Sequence, residues 1–175
     1  DRVTPVGVER IWTTDGDRSE FIQEILPLPD GTLVFGSTSS TTGTVSVENG
    51  LLDTFVVRLD SGGELRWSRI LSAGSVNQPF DMDVDRESGL IVATIGATGA
   101  VSEDSSLQSD IGVFALDTDG NVLWDQVLGT AGDDVMSHVC VSQFGIAVVY
   151  SAWSAEQQWD LMLTVMESDG TVKRQ

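Results

Sequence analysis

Three long apolar runs recur along the chain, each in the same setting. TLVFGS (32–37), GLIVATIGA (89–97) and GIAVVYSA (145–152) carry almost no charged or strongly polar side chains. Each follows a turn signal: PDG, RESG and SQFG. An apolar run of this length predicts a strand covered on both faces. Ahead of each lies a shorter stretch, EILPL, MDVD or HVCV, with apolar residues at alternate positions (Leu26/Leu28, Met82/Val84, Val139/Val141). Period two predicts a strand with one covered face. Behind each run come TFVVRL, IGVFAL or LMLTVM, rich in β-branched residues, and then the more polar ELRWSRIL or NVLWDQVL. These too predict strands, and no segment shows helical periodicity.

The strand pattern sits on an internal repeat. DTFVVRLDSGGELRW (53–67), DIGVFALDTDGNVLW (110–124) and DLMLTVMESDGTVKR (160–174) align without a gap. Asp53, Asp110 and Asp160 open the three copies, an acid follows seven positions on (Asp60, Asp117, Glu167), and Gly63, Gly120 and Gly170 occupy the eleventh position. The fifteenth holds Trp67, Trp124 and Arg174, and an imperfect leading tail, GVERIW, ends at Trp12. An acid that accepts backbone N–H bonds, a hydroxyl, and a Gly free to take positive φ predict a tight hairpin with a bulge.

Each unit therefore reads as four antiparallel strands joined by hairpins. Four-stranded sheets whose middle strands are buried on both faces must stack face on face, which predicts three blades of a β-propeller. The expected divisions are an outer-strand tail over 1–15 and blades over 16–72, 73–129 and 130–175. A β-trefoil, also built from three four-stranded repeats, is the alternative fold. FVVRLDSGGELRW and GTAGDD…VCVSQFGIAVVYS (129–151) resemble the propeller repeats of the bacterial and archaeal SBBP type. FALDTDGNVLW is similar to the tryptophan-docking repeat of quinoprotein-like propellers. These resemblances imply that Trp12, Trp67 and Trp124 wedge between neighbouring blades as architecture. A buried Trp removes on the order of 200 Å² from water, about 5 kcal/mol at most.

Propellers close with roughly four to eight blades, so three leave open faces. We expect either a piece of a larger propeller or subunits that pair into a six-bladed ring. The chain opens without Met or a charged-then-apolar leader, from which we expect a removed signal peptide or a start inside a longer protein.

Charge narrows the partners. The chain carries 27 acidic and 9 basic residues, a net charge of −18, and Lys173 is its one lysine. Such a surface repels nucleic acid and anionic lipid. No apolar run reaches the 18 residues of a membrane helix, so no membrane insertion is expected. An acidic, lysine-poor surface suits high salt or a Ca²⁺-rich exterior, and it is also what a plain solvated acidic face looks like. Cys140 is the one cysteine, which excludes an internal disulfide and a cysteine metal cluster.

No catalytic set converges. His138 is the one histidine; Ile25 and Asp81 are its expected counterparts in the other units, and a structural role is expected. Cys140, aligned with Pro27 and Asp83, is expected to be an inert buried thiol. Asp81, Asp83 and Asp85 would share one face of an inner strand and could hold Ca²⁺ with help from carbonyls. Asp117 and Asp119 resemble the opening of a calcium loop, although the sibling turns LDSGGE and MESDGT lack its alternation. VSVEN, VSEDSS and the tract STSSTTGT (37–44) are expected rim loops where specificity would reside. Trp153 has no repeat counterpart, and with Trp159 it is the candidate contact for a carbohydrate.

The leading expectation is a non-enzymatic, exported β-propeller module, extracellular or at the cell surface. It would serve as a structural or protein-interaction scaffold toward other subunits or copies of itself, with no cofactor beyond a calcium ion. The alternatives are a carbohydrate-binding module and a fragment of a quinoprotein-like dehydrogenase, for which pyrroloquinoline quinone with Ca²⁺ would be the cofactor.

Overall fold

The computed structural model describes residues 12–47, 51–99, 108–154, 156 and 158–174. Most of the expected leading tail, the VSEDSS loop and the end of the VSVEN loop lie outside the described residues.

Twelve strands run in order and form three four-stranded antiparallel sheets. The first contains β1 (Glu20–Leu28), β2 (Gly31–Thr38), β3 (Asp53–Asp60) and β4 (Leu65–Leu71). The second contains β5 (Val76–Val84), β6 (Ile91–Thr98), β7 (Ser109–Leu116) and β8 (Val122–Leu128). The third contains β9 (Asp134–Ser142), β10 (Gly145–Trp153), β11 (Trp159–Met166) and β12 (Val172–Arg174). Each sheet is a simple meander, and consecutive sheets pack face to face. These are three blades of a β-propeller; no barrel closes, so the trefoil alternative is set aside.

The repeated turn folds as its chemistry dictates. Asp60 Oδ1 accepts the Gly62 and Glu64 N–H groups at 2.8 and 3.0 Å, and Asp117 Oδ1 accepts those of Asp119 and Asn121 at 2.9 and 2.8 Å. The Asn121 side-chain amide, donating to Asp117 Oδ2 at 2.9 Å, and these backbone bonds hold the Asp117 carboxyl below its usual range, and the bonds from Glu64 and Gly62 do the same for Asp60. Gly63, Gly120 and Gly170 take φ of 84°, 78° and 87°, which a side chain would strain. Just before each turn the ladder slips, at Arg58/Leu59, Ala115/Leu116 and Val165/Met166, giving the expected bulge.

Two cores lie between the blades. Leu33, Phe35, Val56 and Leu71 of the first sheet meet Met82, Ile91, Ala93 and Ile95 of the second. Val92, Ile111 and Val113 of the second meet Val139, Val148, Tyr150 and Met166 of the third. A third cluster, Val34, Val45, Phe55 and Val57, lies on the far face of the first sheet, with Trp12 packed against it. β2 and β6 are thus buried on both faces, as expected. β10 is not. Its burial alternates because, among the described residues, the third sheet has a neighbour on one side alone.

The inner strands correct the expected alignment. All three carry a bulge near their start, between Ile22/Glu24 and Pro79/Asp81 and opposite Val149/Ser151. Register across β2, β6 and β10 pairs Glu24 with Phe35, Asp81 with Thr94, and His138 with Val149. The counterpart of His138 in the first unit is therefore Glu24, not Ile25, and that of Cys140 is Leu26, not Pro27. The apolar alternation misleads because Leu26 and Leu28 face forward to the second sheet while Met82 and Val84 face back to the first.

Candidate functional site

The junctions between blades show what a blade face needs in order to be covered. On the inner strands an acid reaches forward to the next blade's backbone. Glu24 Oε2 accepts the Met82 N–H at 3.0 Å, and Asp81 Oδ2 accepts that of Val139 at 2.8 Å. Asp83 Oδ2 accepts the Val141 N–H at 2.7 Å. Burial and the nearby charges of Asp81 and Asp83 raise the Glu24 carboxyl above its usual range, while its bond from Met82 opposes the shift.

On the outer strands a donor reaches forward to the next blade's turn. Trp67 Nε1 donates to Thr118 O at 2.9 Å, and Arg69 Nε to Gly120 O at 2.7 Å. One junction on, Trp124 Nε1 donates to Ser168 O at 2.9 Å, and Gln126 Nε2 to Gly170 O at 2.7 Å. The indoles lie on the turn glycines. A Cβ on Gly120 would stand 2.7 Å from Trp67 Cδ2, and one on Gly170 3.0 Å from Trp124 Cδ2. The turn glycine is thus needed twice, for its φ and for its missing side chain.

A third polar joint sits at the opposite end of the strands. Asn77 Nδ2 donates to Asp53 Oδ1 at 2.7 Å, across the first junction. By register Asp134 is the counterpart of Asn77 and Asp110 that of Asp53. The second junction therefore holds two buried carboxyls where the first holds a carboxyl and an amide. Burial raises both. The charges of Asp134 and Asp133 push Asp110 further, while bonds from Thr130 partly offset the shift of Asp134.

Among the described residues, nothing covers the forward face of the third sheet in this way. Ala147, Val149, Ser151 and Trp153 of β10 are paired there with Val165, Leu163, Leu161 and Trp159 of β11. Leu161 and Leu163 are 76% and 51% exposed, whereas their counterparts Ile111 and Val113 of the second sheet are fully buried. Trp153 and Trp159 close the stripe as an edge-to-face pair, ring centroids 5.2 Å apart at 67°. His138, on the same face, has its Nδ1 3.3 Å from Asp81 Oδ2 and its ring largely in solvent. It stands where Glu24 and Asp81 make their forward bonds. Cys140 is exposed, not buried as expected, because it too lies on this face.

The carboxylates considered for calcium are placed as follows. Asp81 and Asp83 do share a face and are bonded to β9, whereas Asp85 lies past the end of β5, accepting the Ser88 hydroxyl at 2.6 Å. Asp119 donates its N–H to Asp117 within the hairpin turn. Among the described residues no group of three or more His, Cys, Asp or Glu side chains is arranged to hold a metal ion. The tract STSSTTGT folds back on Asp17, which accepts the Thr41 N–H at 2.7 Å and its hydroxyl at 2.9 Å. Those bonds lower the Asp17 carboxyl.

The forward acids are the feature that sequence reading misses; open blade faces are expected from the blade count, but not which face is open. The one signal for the latter is Arg174, which stands at the position of the docking Trp. No protein-family model matches the chain, and no curated protein matches it.

Proposed function

We propose that this chain is a non-enzymatic scaffold module of an extracellular or cell-surface assembly, and that the forward face of its third blade is where a protein partner seats. The observation that carries the reading is the exposure of Leu161 and Leu163 at positions that are buried under a neighbouring blade in both preceding units. Exposed, contiguous apolar surface of this kind marks interaction sites. Trp153 and Trp159 extend the same stripe, and aromatic residues are favoured at the centres of protein interfaces. The acidic, lysine-poor surface supports the location outside the cell.

The test is solution mass. The chain is expected to run above its monomer mass of 18.7 kDa, or to bind a propeller-type partner, through this face. Leu161→Glu with Leu163→Glu should abolish the association and leave a monomer with the same all-β circular dichroism, since both side chains are largely exposed in the single chain. A stable monomer that binds no partner, or a double variant that associates as before, would overturn the reading. Loss of glycan-array binding in Trp153→Ala, with mass unaffected, would instead favour carbohydrate recognition by the Trp153–Trp159 pair.

A further inference from the structure

We propose that the cleft between the first and second blades binds a small organic monocarboxylate, a role separate from the scaffold reading and independent of it. The cleft has a volume of about 500 Å³ and opens at the hairpin end of the blades. Arg58, Arg66 and Arg86 converge on it, beside Trp67, Leu28 and Ile91. In a chain with nine basic residues and a net charge of −18, three cations in one cleft stand against the general field.

Arg58 is the central group. It is 8% exposed, and its Nη2 donates to Asp30 Oδ1. Its Nη1 is buried and has no hydrogen-bond partner. A guanidinium carries five donors in a fixed fork, and a buried donor left unpaired is costly. The Arg58 side chain lines the cleft, and an acceptor that enters the cleft is the partner assigned to its unpaired Nη1 group.

The repeat supplies an internal control. Register across the hairpins places Arg58 opposite Trp67, Ala115 opposite Trp124, and Val165 opposite Arg174. Arg58 thus occupies a position that small or apolar side chains fill in the other two units. Arg66, one residue before Trp67, corresponds to Leu123, and Arg86, the first residue after Asp85 in its turn, corresponds to Gln143, the first after Ser142. The blade architecture is built at the second junction without any of these charges. Where a regular sequence departs from its own rule at a cost, function is the expected reason.

The chemistry selects the ligand class. The guanidinium fork matches a carboxylate or a phosphate. Asp30 and Asp119 also line the cleft, and Asp60 Oδ2 lies 3.7 Å from Arg66 Nε, so three positive charges meet three negative ones and a second ligand charge would be unmatched. That balance favours a singly charged anion over a phosphate. Trp67, Leu28 and Ile91 offer apolar walls to the rest of the molecule.

The experiment is a titration of the ¹⁵N-labelled chain with phenylacetate and, separately, with inorganic phosphate. Saturable shifts are expected with millimolar phenylacetate at the Trp67 indole N–H and at the backbone amides of Arg86, Gly89, Thr118 and Asp119. Arg58→Ala, which installs the residue of the second junction, should remove these shifts. The Trp67 indole signal itself reports whether the blades remain docked. Arg86→Gln alters an exposed side chain, and a several-fold weaker affinity is expected from it. No saturable response to phenylacetate, a response to phosphate alone, or equal affinity in the arginine variants would overturn the proposal. If Arg58→Ala fails to fold, an unchanged Kd in Arg86→Gln overturns it by itself. Neither result bears on the mass of the Leu161/Leu163 variant, so the two readings fail separately.

Discussion

Trp67→Ala is expected to lower the stability of the chain by about 3 kcal/mol or more, as large-to-small replacement of a packed aromatic does. In a domain of this size that is a fall in Tm of about 6–12 °C. Two losses combine. The indole leaves the cluster of Leu33, Phe35 and Val56 with the second blade, and the Nε1 donor leaves Thr118 O. Trp67→Phe separates them, because it keeps most of the apolar area and loses the hydrogen bond, worth about 1 kcal/mol. Gly120→Ala attacks the same joint from the other side, since its Cβ would press on the Trp67 ring at 2.7 Å and its φ of 78° disfavours a side chain. Placed together, Trp67→Ala and Gly120→Ala should cost less than the sum of the single changes, because they remove one shared contact. Chemical denaturation of the four variants decides the matter. Additive effects would mean that the indole and the turn glycine do not act as one joint.

Exchanging Asn77 and Asp134 between their roles should move stability in opposite directions at neutral pH. Asp134→Asn makes the second junction like the first. The new Oδ1 keeps the acceptor role toward the Thr130 N–H, and the new Nδ2 faces Asp110 as Asn77 Nδ2 faces Asp53. A gain of about 1–2 kcal/mol is expected from replacing a like-charge contact by a charge-assisted hydrogen bond. Asn77→Asp does the reverse in a fully buried position and removes donors to Asp53, Ser72 and Gly74, so a loss of about 3 kcal/mol or more is expected.

The pH dependence follows from the raised carboxyls of Asp110 and Asp134. A raised acid binds its proton more tightly in the folded state, so this pair favours folding at low pH. Its contribution declines as pH rises from the ordinary carboxyl value of 3.8 through the higher folded values, and is flat above them. Asp134→Asn should flatten that part of the stability–pH curve, and Asn77→Asp should steepen it. Equal slopes in wild type and Asp134→Asn would show that Asp134 contributes no raised carboxyl to the folded state.

Several elements are legible in the sequence alone. The turn acids, the positive-φ glycines and the strand order are local properties, so the spacing of Asp60, Gly63 and Trp67 and their repeats carried them. Period two also put Asp81 and Asp83 on one face, as observed. The forward-acid series was not legible, because one extra residue at each inner-strand bulge shifts the face and made Ile25 look like the partner of His138 when Glu24 is. Cys140 was misplaced for a different reason. Its strand has the same composition as a doubly covered one, and whether a cover exists is a property of the neighbouring sheet.

The sequence by itself determined the blade: hairpin signals, alternation and the docking Trp depend on residues within a few positions of one another. What tertiary structure decided is which side of each blade is covered. It buried Arg58 against an aspartate, set two carboxyls together between the second and third blades, and left Leu161 and Leu163 in water. Burial depends on atoms brought in from distant parts of the chain, and the local pattern of a strand is the same whether or not a neighbour lies across it.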